Sequence, residues 1–203
     1  MLKEDIIKNM YSQLSDFLTR LEILDDQEVR FCLSLFRPIG LRKDEFFLSE
    51  EMVCGQIAFV CKGALRAFST LPDGEENITC FKFENQLVTS FESFMFYKPS
   101  LKSIQAIEKC HLLSISRQNY QDILKTIPSW QSVINVMLEQ EYSEKERYLI
   151  HYSNQSAKEK YVHILEHSPE IVRRVKVEHL ASYLGITQRT LTRIRKELSN
   201  PSF

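Results

Sequence analysis

Five polar side chains stand out near the end of the chain: Gln188, Arg189, Thr192, Arg193 and Lys196. If the surrounding residues are helical, a turn of 100° per residue fans these five across one face. Their chemistry is that of hydrogen-bond recognition. The guanidinium forks and the amide match base edges, and the ammonium and hydroxyl match phosphate oxygens. Arg is the commonest reader of guanine, through O6 and N7. Thr187, just before this run, is a second hydroxyl able to bond a phosphate. Arg173, Arg174 and Lys176 lie upstream, where a wing or linker would reach the nucleic-acid backbone. The blander reading is an αα-corner with a solvated basic face. The positive residues extend into the first turn of the second helix, where groove contacts are made, and this favours DNA binding.

The elements needed to hold that face are legible in VEHLASYLGITQRTLTRIRKEL, Val177–Leu198. Leu180 and Leu184 are four apart and share one side of a first helix. Gly185 follows, where a helix stops in a left-handed residue. Thr187 is a good N-cap for a second helix. In it Leu191, Ile194 and Leu198 step by three and four and are expected to face inward. Ala181 is small enough to let the helices cross closely. This is a helix-turn-helix pattern whose second helix would enter the major groove.

The rest of the composition agrees with binding by one end. The net charge is −1, but His151–Phe203 carries nine Lys/Arg against five Asp/Glu, while the preceding 150 residues carry 17 against 22. A basic segment on an acidic body suits nucleic acid held at one end. With 203 residues and 43% hydrophobic content, the chain has room for one large or two small folded domains. No apolar run approaches a membrane span and the N-terminus is amphipathic, so a cytoplasmic, membrane-free protein is expected. Cys32, Cys54, Cys61, Cys80 and Cys110 are odd in number and form no CxxC pair. They read as small buried residues of a reduced protein, not as a zinc ribbon or disulfide framework. No cofactor and no metal site are expected.

Residues from about 4 to 36 have helical spacing through Ile6, Ile7, Met10, Leu14, Phe17, Leu18 and Leu21, with Pro38 and Gly40 closing the segment. From Leu41 to Ser116 the pattern turns to short strands. The clearest are Ile57–Cys61, Ala64–Leu71 and Asn77–Phe83, separated by Lys62-Gly63 and by Pro72-Asp73-Gly74. Gln86–Thr89, Ser103–Glu108 and His111–Ser116 are further strand-like runs, and the set suggests a sandwich or barrel. A long helix then starts near Pro128, with Trp130, Val133, Ile134, Met137 and Leu138 as an apolar stripe. Glu141, Glu144, Tyr148 and Leu149 continue it less cleanly. It is expected to pair with its own copy, because a palindromic site needs two reading helices. Ser156 caps a helix over Ala157–Glu166, with Tyr161, Ile164 and Leu165 apolar, and Ser168-Pro169 ends it.

In this order, with FVCKGALRAF, PDGEENITCFKF and LASYLGITQRTLTRIRKEL, the chain resembles the Crp/Fnr family of transcription regulators, in the branch common in Bacteroidetes-type bacteria. The resemblance implies an α+β fold: an N-terminal double-stranded β-helix (a cyclic-nucleotide-binding-like β-roll), a long dimerisation helix and a C-terminal winged helix-turn-helix. The implied boundaries are 1–127, 128–152 and 153–203. It implies a homodimer on a palindromic operator in double-stranded DNA, with Gln188, Arg189 and Arg193 at the base-contacting positions and RNA polymerase as a candidate partner.

Members of the family that bind cyclic AMP use a Glu on the ribose and an Arg ten residues later on the phosphate. Without a gap those positions fall on Ser90 and Ser100; a gap of two would place Glu92 and Lys102 there. Thr89 replaces the glycine before the Glu. A cyclic phosphate buried without a cation is unfavourable, so no cyclic nucleotide binding is expected and any effector is unknown. Cys32, the first cysteine, stands alone and does not make a redox cluster. His111, His151, His163, His167 and His179 show no haem-ligand pattern. The competing readings are a cyclic-nucleotide-responsive module acting through protein contacts and a cupin-like enzyme. The first conflicts with the basic helix. The second would need three histidines in a β region that has His111 alone, so no catalysis is expected.

Overall fold

The computed structural model describes residues 3–199. The chain forms two compact units. One holds Met1–Ser69 and Phe81–Leu138, and the other holds Thr70–Cys80 and Glu139–Phe203.

The first unit opens with α1 (Glu4–Thr19) and α2 (Asp26–Leu35). Met10, Leu14 and Leu18, spaced by four, are the buried face of α1. Asp25 begins α2 with a reciprocal cap: its carboxylate accepts from Gln27 and Glu28 N–H, and Glu28 accepts from Asp25 N–H. The strands that follow are β1 (Arg37–Leu41), β2 (Phe46–Leu48), β3 (Gln56–Lys62), β4 (Leu65–Thr70), β5 (Glu76–Lys82), β6 (Leu87–Val88), β7 (Ser103–Ala106) and β8 (Cys110–Ser116), with the short helix α3 (Phe91–Phe96) between β6 and β7. They form two four-stranded sheets in the orders β1-β8-β3-β6 and β2-β7-β4-β5. The non-sequential orders give a β-roll.

β8 is central and buried from Cys110 to Ile115, so both of its faces are covered. Phe17 of α1 meets Phe59 of β3 at 5.2 Å between ring centroids. Phe59, Leu65, Ile104, Leu112, Leu113 and Ile115 are almost wholly buried. Each contributes about 1.5–3 kcal/mol of apolar burial. Gly63 turns the chain between β3 and β4 at φ +102, and its N–H donates to Glu84 Oε1 at 2.8 Å. A Cβ there would lie 2.6 Å from Cys110 Sγ and 2.7 Å from Lys109 O.

Two expectations about this region change. Pro38 and Gly40 do not close a helical segment; they lie inside β1. Proline is tolerated because β1 is the edge of its sheet, where a missing N–H costs no ladder bond. Two helices are also added to the expected strands. α3 sits between β6 and β7, and α4 (Arg117–Thr126) follows β8, where the Ser116 side chain accepts from Asn119 N–H.

The long helix α5 (Trp130–Asn154) starts in the first unit, where Trp130 and Val133 are buried. Further on, Leu138, Tyr142, Leu149 and Ile150 are exposed. The side chains of Glu144 and Tyr148 lie outside the described residues. The second unit continues with α6 (Ala157–His167), α7 (Pro169–Arg174), α8 (Val177–Leu184) and α9 (Gln188–Ser199). Ser156 and Glu159 form a capping box at α6. Leu165 is exposed, unlike its neighbours Tyr161 and Ile164. No strand follows β8 among the described residues, so the expected wing is not found there. The upstream stretch thought able to form one is helical as far as Arg174, because Pro169 starts α7 at its first turn.

Candidate functional site

The residues singled out in the sequence fall in two places, one in each unit. In the second unit, α8 and α9 pack on each other through Leu180, Ala181, Leu184, Leu191 and Ile194, all buried. Gly185 ends α8 in the left-handed region at φ +66, and its N–H reaches Ala181 O and Ser182 O. Thr187 then caps α9, accepting from Thr190 N–H at 3.2 Å. Leu198 does not join the buried row; it is 36% exposed at the open end of α9.

Thr187, Gln188, Arg189, Thr192, Arg193 and Lys196 are all exposed. Three cations, one amide and two hydroxyls thus occupy the solvent side of the helix. The Thr192 hydroxyl donates to Gln188 O at 2.9 Å, so it must leave that bond before it can donate to an outside acceptor. Arg193 Nε lies 4.0 Å from Glu197 Oε1, a loose and exposed pair that competes little with another acceptor. Arg195 is different: its Nε donates to Tyr161 OH at 3.1 Å and it is half-buried, so it ties α9 to α6. Arg173 is exposed, and Lys176 Nζ is 3.1 Å from Glu178 Oε1. Arg174 is half-buried.

Ser182 of α8 is a residue that spacing did not single out. Its hydroxyl donates to Glu76 O at 2.6 Å and accepts from Ile78 N–H at 3.1 Å. One side chain thereby satisfies two backbone groups of β5, as a neighbouring strand would.

In the first unit, the segment from Thr89 to Lys102 brings Ser90 and Ser100 together. Both are buried and share a hydrogen bond of 2.9 Å. Ser100 Oγ also lies 2.7 Å from Lys102 O. Glu92 is exposed in the first turn of α3 and Lys102 is half-buried. Thr89 Oγ1 donates to Gln56 O at 3.1 Å. Ser93 links the segment to the rest of the roll, accepting from Cys54 N–H and donating to Lys98 O. Arg117 completes the network: Nη2 donates to Cys54 O at 2.8 Å, and the guanidinium lies 3.6 Å from the Tyr97 ring centroid and 4.5 Å from that of Phe94. Tyr97 is held at φ +57, a conformation few non-glycine residues adopt. The polar groups of this segment are satisfied largely by one another and by Arg117.

Residues 39–127 match the cyclic nucleotide-binding domain family. The match covers the roll and α4 and stops before α5. Solved structures extend the likeness over most of the chain. FixK2 from Bradyrhizobium japonicum is similar over 82% of this chain and 85% of its own, with 19% identity and a TM-score of 0.70. The c-di-GMP-responsive global regulator CLP of Xanthomonas campestris is similar over 87% and 93%, at 17% identity and TM-score 0.70. The catabolite activator protein of Thermus thermophilus is similar over 88% and 85%, at 19% identity and TM-score 0.56. At such identities the likeness is one of fold. No curated protein sequence matches the chain. No helix among the described residues is long and apolar enough to cross a membrane.

Proposed function

We propose that this chain is a sequence-specific DNA-binding transcription regulator of the Crp/Fnr type. The carrying observation is the α8–Gly185–α9 arrangement, read as a helix-turn-helix, with all six candidate contact residues on its open face. Arg189 and Arg193 read base edges with Gln188; Thr187 and, on release from Gln188 O, Thr192 donate to phosphates; and Lys196 adds long-range attraction. Arg173 and Lys176 contact the flanking backbone. The ASYLGIT and GEEN motifs favour the Bacteroidetes-type branch.

The working form is a homodimer. Leu138, Tyr142 and Leu149 lie exposed on α5 at steps of four and seven, the spacing of a two-helix seam. Two copies present two reading helices to a palindrome about one DNA turn, ~34–36 Å, between half-site centres. The protein works in the cytoplasm and performs no catalysis.

Cyclic AMP is not the effector in this reading. Where the family would place a carboxylate and a guanidinium, Ser90 and Ser100 bond each other. Neither neutralises a buried phosphate, and Lys102 would offer a point charge, not a bidentate fork.

Selection of genomic fragments at two salt concentrations, with and without cyclic AMP, tests the reading. Wild type is expected to retain palindromic fragments regardless of nucleotide, and Arg193→Ala to lose them. Retention only with nucleotide would restore the Glu92 and Lys102 register. No selective retention under any condition would reduce the two helices to a structural corner.

A further inference from the structure

A groove of about 470 Å3 opens in the first unit beside edge strand β1. That size falls within the ~300–1,000 Å3 of small-molecule sites. Ile7 of α1 and Pro38 and Leu41 of β1 give it apolar walls. Arg42 and Lys109 line it as well, and both are exposed to solvent. The groove shares no residue with the Ser90–Ser100 segment or with α9.

His111 also lines the groove. It lies opposite Gly40 of β1 and Lys62 of β3 in the ladder. Its side chain is only 7% exposed, and Nε2 is buried without a hydrogen-bond partner. A buried ring nitrogen left unpaired is costly, and an apolar residue at this position of β8 would carry no such cost. Burial, then Lys109 and Lys62, disfavour a charged imidazole there. Glu45 pairs with Arg42: its Oε2 lies 3.5 Å from Arg42 Nε and accepts from the Arg42 N–H at 2.9 Å.

We infer that this groove is a binding site for a small organic anion with a short apolar body. The anionic head lies between Arg42 and Lys109, and the buried imidazole of His111 turns toward the groove to bond it. The body lies against Ile7, Pro38 and Leu41. A neutral molecule of the same shape gains only the apolar part, and a bare inorganic anion gains only the charge.

The test uses the full chain, 15N-labelled, titrated with hexanoate, benzoate and 1-hexanol. Either carboxylate is expected to shift the Gly40 and Leu41 amides and the His111 ring signals saturably. The alcohol is expected to bind at least tenfold more weakly. Arg42 and Lys109 are exposed, so the pair R42E and K109E should keep the melting temperature while weakening carboxylate binding at least tenfold. H111F, which keeps the strand apolar, should weaken it with the fold intact. The inference is overturned if neither carboxylate shifts these signals saturably, if hexanol binds as well, or if the charge reversals change nothing.

Discussion

Ser90 and Ser100 are two small neutral groups in a buried setting, bonded to each other, and Ser100 also bonds Lys102 O. Removing the Ser100 hydroxyl takes from Ser90 its bonding partner, at a cost of about 1–3 kcal/mol. Ser100→Ala is therefore expected to lower stability by that amount, and the double change to alanine to recover part of it. Thermal unfolding of the two variants checks this. On α9, Arg193→Ala should cost about 1–3 kcal/mol of specific DNA affinity and relax preference at one base step, read by fluorescence anisotropy on a panel of operator variants. His111 titrates below its ordinary range, because burial, then Lys109, then Lys62, oppose its charged form. The unfolded chain thus binds this proton more readily than the folded one. Stability should rise with pH from below the folded value up to about 6.5, and flatten above it. Denaturant midpoints for wild type and His111→Phe should diverge in that window. The exposed carboxylates of Glu45 and Glu159, held low chiefly by hydrogen bonds from the Arg42 backbone and the Ser156 side chain, contribute only at more acid pH.

At the scale of elements, two left-handed glycines do different work. Gly185 has open space around its missing Cβ, so Gly185→Ala costs backbone strain alone, about 1–2 kcal/mol. Gly63 adds a collision with Cys110 Sγ and Lys109 O to its positive φ. Gly63→Ala should therefore cost more than Gly185→Ala in the same melting experiment, and equal costs would show that the β3–β4 turn relaxes freely. The sequence was readable at Gly185 because a helix stop, a cap and an apolar period coincide within a few residues. The strands around Lys62-Gly63 and Pro72-Asp73-Gly74 were legible because turn-forming residues separate short strand-like runs. β1 was misread because its proline looks like punctuation, and only the sheet order makes it an edge strand. α3 and α4 were missed because their apolar residues do not repeat over enough turns. Ser182 and Arg117 carry no local signal at all; their partners lie 104 and 63 residues away in sequence.

For the whole molecule, the proposed dimer turns a weak reader into a selective one. A single short helix contacts few bases, and two held at fixed spacing multiply their discrimination. Inserting five base pairs between half-sites rotates one of them by about half a turn of DNA. Binding is expected to fall to the level of a single half-site, with ten inserted base pairs restoring part of it. Anisotropy titrations on the three spacings check this, and equal affinity for all three would mean that one copy binds alone.

The five cysteines, all free, are graded by depth. Cys80 is half-buried, while Cys32, Cys54, Cys61 and Cys110 are enclosed. Burial pushes the thiols of Cys32 and Cys61 up to about 12, so almost no thiolate is available to react. Cys61 Sγ lies 3.8 Å from Met10 O, beneath α1. A thiol reagent should therefore mark Cys80 first and reach Cys61 only when α1 lifts from the sheet. The chain carries its own stopwatch for that opening, started by a pulse of reagent and read one cysteine at a time by mass.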